Sequence, residues 1–209
     1  GAALSQRDYS EAIQACASHG DVDGAVQWFK AMQGAGIAAD QTAYGAVISS
    51  FRGTADMSGA SWWLAGMKRA GLDPGSAAYG TVVAACAEAG HASTAVRWMT
   101  EMRTAEVEAA PQCYDAVIRV CARSGDTQGA VHWLEEMRRA GHTPDELSYS
   151  EVVQSFAKKG DPKGARGWLR AMIDTGVEPD VGSYNAVVSA CARAGRVEEA
   201  EELMAAMER

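Results

Sequence analysis

The sequence predicts an all-α chain, an α-solenoid (superhelix) of helix-turn-helix repeats, and three observations predict it. All six tyrosines, Tyr9, Tyr44, Tyr79, Tyr114, Tyr149 and Tyr184, stand 35 residues apart. Trp28, Trp63, Trp98, Trp133 and Trp168 keep the same step, as do Ala25, Ala60, Ala95, Ala130, Ala165 and Ala200, and Met32, Met67, Met102, Met137, Met172 and Met207. Within each period the apolar residues recur twice at spacings 3, 1 and 3, the stripe of an amphipathic helix. Self-similarity of this length marks stacked repeat units. The expected organisation is one solenoid over 1–209, with five full repeats (6–40, 41–75, 76–110, 111–145, 146–180) and a shortened sixth (181–209).

Each repeat reads as two helices. The first carries Tyr114, Val117, Ile118 and Cys121 in the fourth unit and stops at Gly125. Gly20, Gly90, Gly160 and Gly195 are the equivalent stops, suited to a left-handed C-cap. The second begins at once. Asp21, Asp56, Asp126 and Asp161 are placed to cap it, and Pro162 takes the tolerated first helical position. Its stripe is Ala130, Trp133, Leu134 and Met137, ending near Gly141, and Thr143-Pro144-Asp145 blocks continuation into the next unit. Trp28, Trp63, Trp98, Trp133 and Trp168 therefore read as inter-repeat packing. Trp62 breaks the ladder and is the better candidate for an exposed contact. One hairpin cannot bury both of its stripes, so neighbours must stack and leave a concave face lined by the first helices.

Apolar residues make up 47% of the chain and charged ones 22%, the balance of a folded globular protein. No apolar run nears the ~20 residues that span a bilayer, so no membrane insertion is expected. The chain starts at Gly1, as expected either of a processed front or of a piece of something longer, and the short last unit ending at Arg209 suggests a longer parent. A net charge of −8 repels phosphate on average, so nucleic-acid binding requires local cations. Five cysteines without a C-x-x-C suggest buried thiols in a reducing compartment.

The 35-residue unit, Tyr184-Asn185 opening a helix, "SACARAG" at 189–195, "EEAEELMAAM" at 198–207 and "GVEPD" at 176–180 resemble the pentatricopeptide-repeat (PPR) family. The resemblance covers about residues 6–209. The tetratricopeptide alternative has 34 residues and an early tryptophan in its first helix, and fits neither. The resemblance implies a non-enzymatic, organellar (mitochondrion or plastid) protein that binds single-stranded RNA, roughly one base per repeat, in RNA processing, stability or translation. It implies no cofactor, no metal and no DNA partner.

In that family the residue after the opening tyrosine and the last residue of the same repeat read the base edge. Carried over, they give Ser10 with Asp40, Gly45 with Gly75, Gly80 with Ala110, Asp115 with Asp145, Ser150 with Asp180, and Asn185 alone. Ser-with-Asp resembles a guanine-preferring pair, and Asn185 leans towards a pyrimidine. Repeats two and three offer no side-chain hydrogen bonds there, and two carboxylates in repeat four repel phosphate. The family's apolar wedge two before the tyrosine is replaced by Arg7, Thr42, Ala77, Gln112 and Gly182, with only Leu147 a bulky aliphatic. A basic residue nine after the tyrosine, available to phosphate, is present as Arg123, Lys158 and Arg193, but is Ser18, Gly53 and Glu88 in the first three repeats. Contact is therefore expected mainly through the C-terminal repeats.

Cys16, Cys86, Cys121 and Cys191 share one repeat position with Phe51 and Phe156, which marks packing, whereas Cys113 lies off that stripe and is expected exposed. His19, His91, His132 and His142 occupy unrelated positions, and no nucleophile–base set or phosphate loop is present. The H-x-E and P-C-x-x-C elements of a deaminase extension are missing. Acidic runs at 135–136 and 198–202 read as the solvated outer face of second helices. The rival reading is a degenerate PPR-like scaffold or accessory subunit of a larger organellar complex, binding protein rather than RNA.

Overall fold

The structure, a computed structural model, describes residues 4–54 and 56–207, and over them the chain is all-α: twelve helices and no strand. They run as hairpins: α1 (Gln6–Ser18) with α2 (Val22–Gly34), α3 (Gln41–Ser50) with α4 (Met57–Arg69), α5 (Ser76–Glu88) with α6 (Ala92–Thr104). Next come α7 (Pro111–Ser124) with α8 (Thr127–Arg139), α9 (Glu146–Lys158) with α10 (Pro162–Asp174), and α11 (Val181–Arg193) with α12 (Val197–Met207). The chain forms two compact units, 1–113 and 114–209, and the boundary falls inside α7. In the first unit α1 packs on α2 and α3, α3 on α4 and α5, and α5 on α6. In the second, α9 packs on α10 and α11, and α11 on α12. First helices thus neighbour first helices, which is how solenoid repeats stack.

The two stripes are buried as their spacing predicts. Tyr79, Val82, Val83 and Cys86 on α5 are all 0% exposed, and so are Val117, Ile118 and Cys121 on α7. Ala130 and Leu134 on α8 are also 0% exposed. Trp63 lies edge-on to Phe29 of the preceding hairpin with ring centroids 4.7 Å apart, and Trp98 donates its indole N–H to Ser61 Oγ at 3.1 Å. Trp63, Trp98 and Trp133 are buried, while Trp168 is half-buried. Trp28 departs from the expectation at 38% exposed. It meets Tyr9 edge-on, but no preceding hairpin among the described residues covers it as Phe29 covers Trp63. Trp62 is 59% exposed, with the Arg69 guanidinium 6.0 Å from its ring centre.

Asp21, Asp56, Asp126 and Asp161 each accept from a backbone N–H three residues on, at 2.9 Å, capping the second helices. That third residue is glycine in all four cases, and a Cβ on Gly129 would stand 2.1 Å from Asp126 Oδ2. The second helices end at Gly36, Gly71, Gly141 and Gly176, all with positive φ, and the equivalent residue of the third repeat is Glu106 at φ 55. An L residue is disfavoured there by clash of its Cβ with the backbone. Glu106→Gly is therefore expected to raise the unfolding free energy by about 1 kcal/mol, measured by chemical denaturation.

One cysteine needs correcting. Cys113 is 6% exposed, not exposed, because it stands directly before Tyr114 and packs towards the preceding repeat: a Cβ on Gly80 would lie 3.2 Å from its Sγ. Cys121 behaves as a core side chain, its thiol pushed up to about 11 by burial and the nearby Asp126. The acidic runs are tied to arginines: Glu135 and Glu136 to Arg139, and Glu199 and Glu202 to Arg166. Such surface pairs contribute ~0–1 kcal/mol each.

Candidate nucleic-acid interface

The expected readout residues lie at the N-terminal ends of first helices, and each final Asp has a structural task that the sequence reading missed. Asp40 Oδ1 accepts from the Ala43 N–H at 2.9 Å, Asp145 from Ser148 at 2.9 Å, and Asp180 from Ser183 at 2.8 Å. These carboxylates cap α3, α9 and α11. Gly75, at the same place in repeat two, provides no side-chain cap. The signal was available: Asp followed by a helix-opening stretch is a cap pattern.

Ser10 and Asp40 come together. With Gln6, Arg7, Glu11, Gln14 and Thr42 they line a cavity of about 360 Å³. Gln6 Nε2 donates to Asp40 Oδ2 at 3.0 Å, while the Ser10 hydroxyl, on a residue 8% exposed, has no hydrogen-bond partner among the described residues. Buried hydroxyls nearly always find a partner, which sets this one apart.

Asp115 and Asp145 converge on Ser148, whose hydroxyl donates to Asp115 Oδ1 at 2.7 Å while its N–H serves Asp145. Burial, with the Asp145 charge, pushes the Asp115 carboxyl above its usual range against the Ser148 hydrogen bond and Arg119. Its folded pKa exceeds the unfolded one, so folding favours the protonated form. Stability from this group is full below the unfolded pKa and is lost as pH rises through the folded one. Asp115→Asn keeps an acceptor for Ser148 and removes the charge. It is expected to be more stable than the parent at pH 7 and equal to it in acid, as thermal unfolding across pH will show.

Ser150 is buried and hydrogen-bonded: the Ser183 hydroxyl donates to it at 2.9 Å and Gln154 Nε2 at 3.0 Å. Burial pushes Asp180 up, but hydrogen bonds from Ser183, Gly182 and Ser150 outweigh it and hold the carboxyl below its usual range. Asn185 is exposed on α11, and Leu147, 53% exposed, stands at the start of α9.

The three expected phosphate cations sit at the C-terminal ends of first helices. Lys158 is exposed. Arg123 leans towards Glu151 at 3.4 Å, and Arg193 Nη2 donates to the Ala157 carbonyl at 2.9 Å, at the end of α9. Both arginines remain exposed, Arg123 at 68% along its side chain. The first unit holds a cleft of about 590 Å³ between α1, α3 and α5, lined by small residues such as Ala17, Gly45, Ser49 and Ala77. Arg52 lines it as well. This cation was missed because it stands one residue short of the repeat position where cations were sought.

Residues 66–209 match the family model described as the pentacotripeptide-repeat region of PRORP, and residues 9–37 match the PPR repeat model. Among solved structures, the pentatricopeptide repeat protein PPR10 from maize is similar at 26% identity and a TM-score of 0.67, over 98% of this chain and 29% of that one. PPR10 in complex with an 18-nt psaJ RNA element is similar at 25% identity and 0.62, over 100% of this chain and 29% of that one. The PPR domain of Arabidopsis thaliana protein-only RNase P 1 in complex with tRNA shares the fold at 14% identity and 0.73, over 85% of this chain and 94% of that one. This chain therefore spans less than a third of PPR10. No curated protein matches it.

Proposed function

We propose that this chain, which belongs to the pentatricopeptide-repeat family, is a non-catalytic binder of single-stranded RNA. The first helices provide the binding face. Ser10 with Asp40, Asp115 with Asp145, Ser150 with Asp180, and Asn185 meet base edges, while Arg123, Lys158 and Arg193 meet phosphates. Arg52 extends the cationic set into the first unit. The observation that carries the reading is the Ser10–Asp40 cavity, where a buried hydroxyl without a partner and a carboxylate face the same space. A splayed base offers donors and acceptors on its edge for such a pair. PPR10, similar over nearly the whole of this chain, is solved with an RNA element. By family kinship the site of action is a mitochondrion or plastid.

The net charge of −8 and the bare pairs Gly45/Gly75 and Gly80/Ala110 favour a second reading, a scaffold or accessory subunit in an organellar protein complex. Purified chain passed over immobilised mixed single-stranded RNA at ~50 mM salt separates the two. The RNA reading expects retention. No retention, together with stable co-purification of a protein partner, would move the assignment to the scaffold.

A further inference from the structure

We infer that the residue directly before the opening tyrosine of a repeat decides whether the readout side chain of the preceding repeat is available to RNA; this inference rests on the RNA-binding reading. The position is held by Ala43, Ala78, Cys113, Ser148 and Ser183, every one of them buried. At three of these positions it meets the residue after the tyrosine of the repeat before. Ser148 donates to Asp115 at 2.7 Å and Ser183 to Ser150 at 2.9 Å, and Cys113 Sγ would meet a Cβ on Gly80 at 3.2 Å.

Ser10 and Ser150 are the same residue type at the same repeat position, yet they are in opposite states. A hydroxyl offers one donor and two acceptor sites. Both acceptor sites of Ser150 are filled, by Ser183 and Gln154, and Ser150 is itself among the groups that stabilise the Asp180 carboxylate. The residue at that position after the repeat of Ser10 is Ala43, whose side chain has no donor or acceptor, and the buried Ser10 hydroxyl has no hydrogen-bond partner among the described residues beside the Asp40 cavity. Asp115, paired with Ser148, resembles Ser150 in being engaged.

Base discrimination is therefore concentrated where the following repeat carries alanine, at Ser10, and is muted where it carries serine, at Asp115 and Ser150. Ala43, Ser148 and Ser183 are positioning residues: they touch no base but set what the base meets. The division of labour differs from the one the sequence suggests. The last three repeats contribute mainly phosphate cations, and the first contributes the sharpest reading.

The test is selection from a randomised single-stranded RNA pool with the parent chain, Ala43→Ser, Ser183→Ala, Ser183→Thr and Ser10→Ala, scoring base preference at each motif position. Ala43→Ser is expected to weaken the preference read by repeat one by roughly tenfold, the scale of one good base-edge contact. Ser183→Ala should sharpen the preference read by repeat five, and Ser183→Thr, which keeps the hydroxyl, should leave it as in the parent. Ser10→Ala and Ala43→Ser should be non-additive, since they act on one group. If the parent selects a motif and neither Ala43→Ser nor Ser183→Ala changes any single position, the inference is overturned while RNA binding stands. A uniform loss across all positions also counts against it, because it reports damage to the fold. Failure of the parent to retain any RNA sinks the RNA reading itself, and this inference with it.

Discussion

Replacing Lys158 and Arg193 together by glutamate is expected to weaken single-stranded RNA binding by about a hundredfold. Each cation within ~4 Å of a phosphate is worth about 1 kcal/mol in water, and reversal adds a repulsion of similar size. The sum over two sites is about 4 kcal/mol before screening, which salt near 0.1 M reduces to the stated loss. Lys158 is exposed at the end of α9, and Arg193 crosses from α11 to the Ala157 carbonyl of that same helix end. The two charges therefore belong to one local surface within the second unit. Glutamine at both sites removes attraction without adding repulsion and should cost about tenfold. Arg193 also satisfies a helix-terminal carbonyl, so unfolding midpoints measured beside the binding curves distinguish a charge effect from a loosened α9. Equal binding by parent and double variant would show that RNA, if bound, lies elsewhere.

Trp133→Ala is expected to destabilise the second unit by about 3–5 kcal/mol, read as a shift in the denaturation midpoint. The indole is 3% exposed, packs at a tilt on Tyr114, and shares its helix with Ala130, Leu134 and Met137, all buried. Removing it leaves a cavity between elements that relax only partly. Trp28→Ala is the matched control at the same repeat position. With 38% of its surface exposed and its edge contact to Tyr9 as the principal aromatic partner, it should cost only about 1 kcal/mol. Equal effects at the two sites would contradict the account in which burial of the ring sets the cost of losing it.

Most of the fold was legible because its determinants are local and periodic. The 3-1-3 stripes set the helix faces, and the glycines and aspartates at the turns set the boundaries, all within a dozen residues of one another. What escaped the sequence depends on the neighbouring repeat. Trp28 carries the ladder residue but lacks the partner that Phe29 is to Trp63. Cys113 looked stranded off its stripe, yet the position before the tyrosine is buried in Ala43, Ala78, Ser148 and Ser183 as well. The readout pairs were placed by register, but register does not say that Ser150 is hydrogen-bonded to Ser183 while the Ser10 hydroxyl has no partner among the described residues. That Asp40, Asp145 and Asp180 cap the next helix was legible, since an aspartate before a helix-opening stretch is a cap pattern, and it went unread because the same residues were assigned to base readout.

The central claim is that an acidic chain binds RNA through a few cations on its first-helix face. Affinity for single-stranded RNA measured as a function of salt tests it most directly. Three phosphate contacts predict a log–log slope of about −2, steepening towards −3 if Arg52 takes part, since each contact contributes about −0.7. A chain that binds no single-stranded RNA at low salt, or binds it with a slope near zero, contradicts the claim.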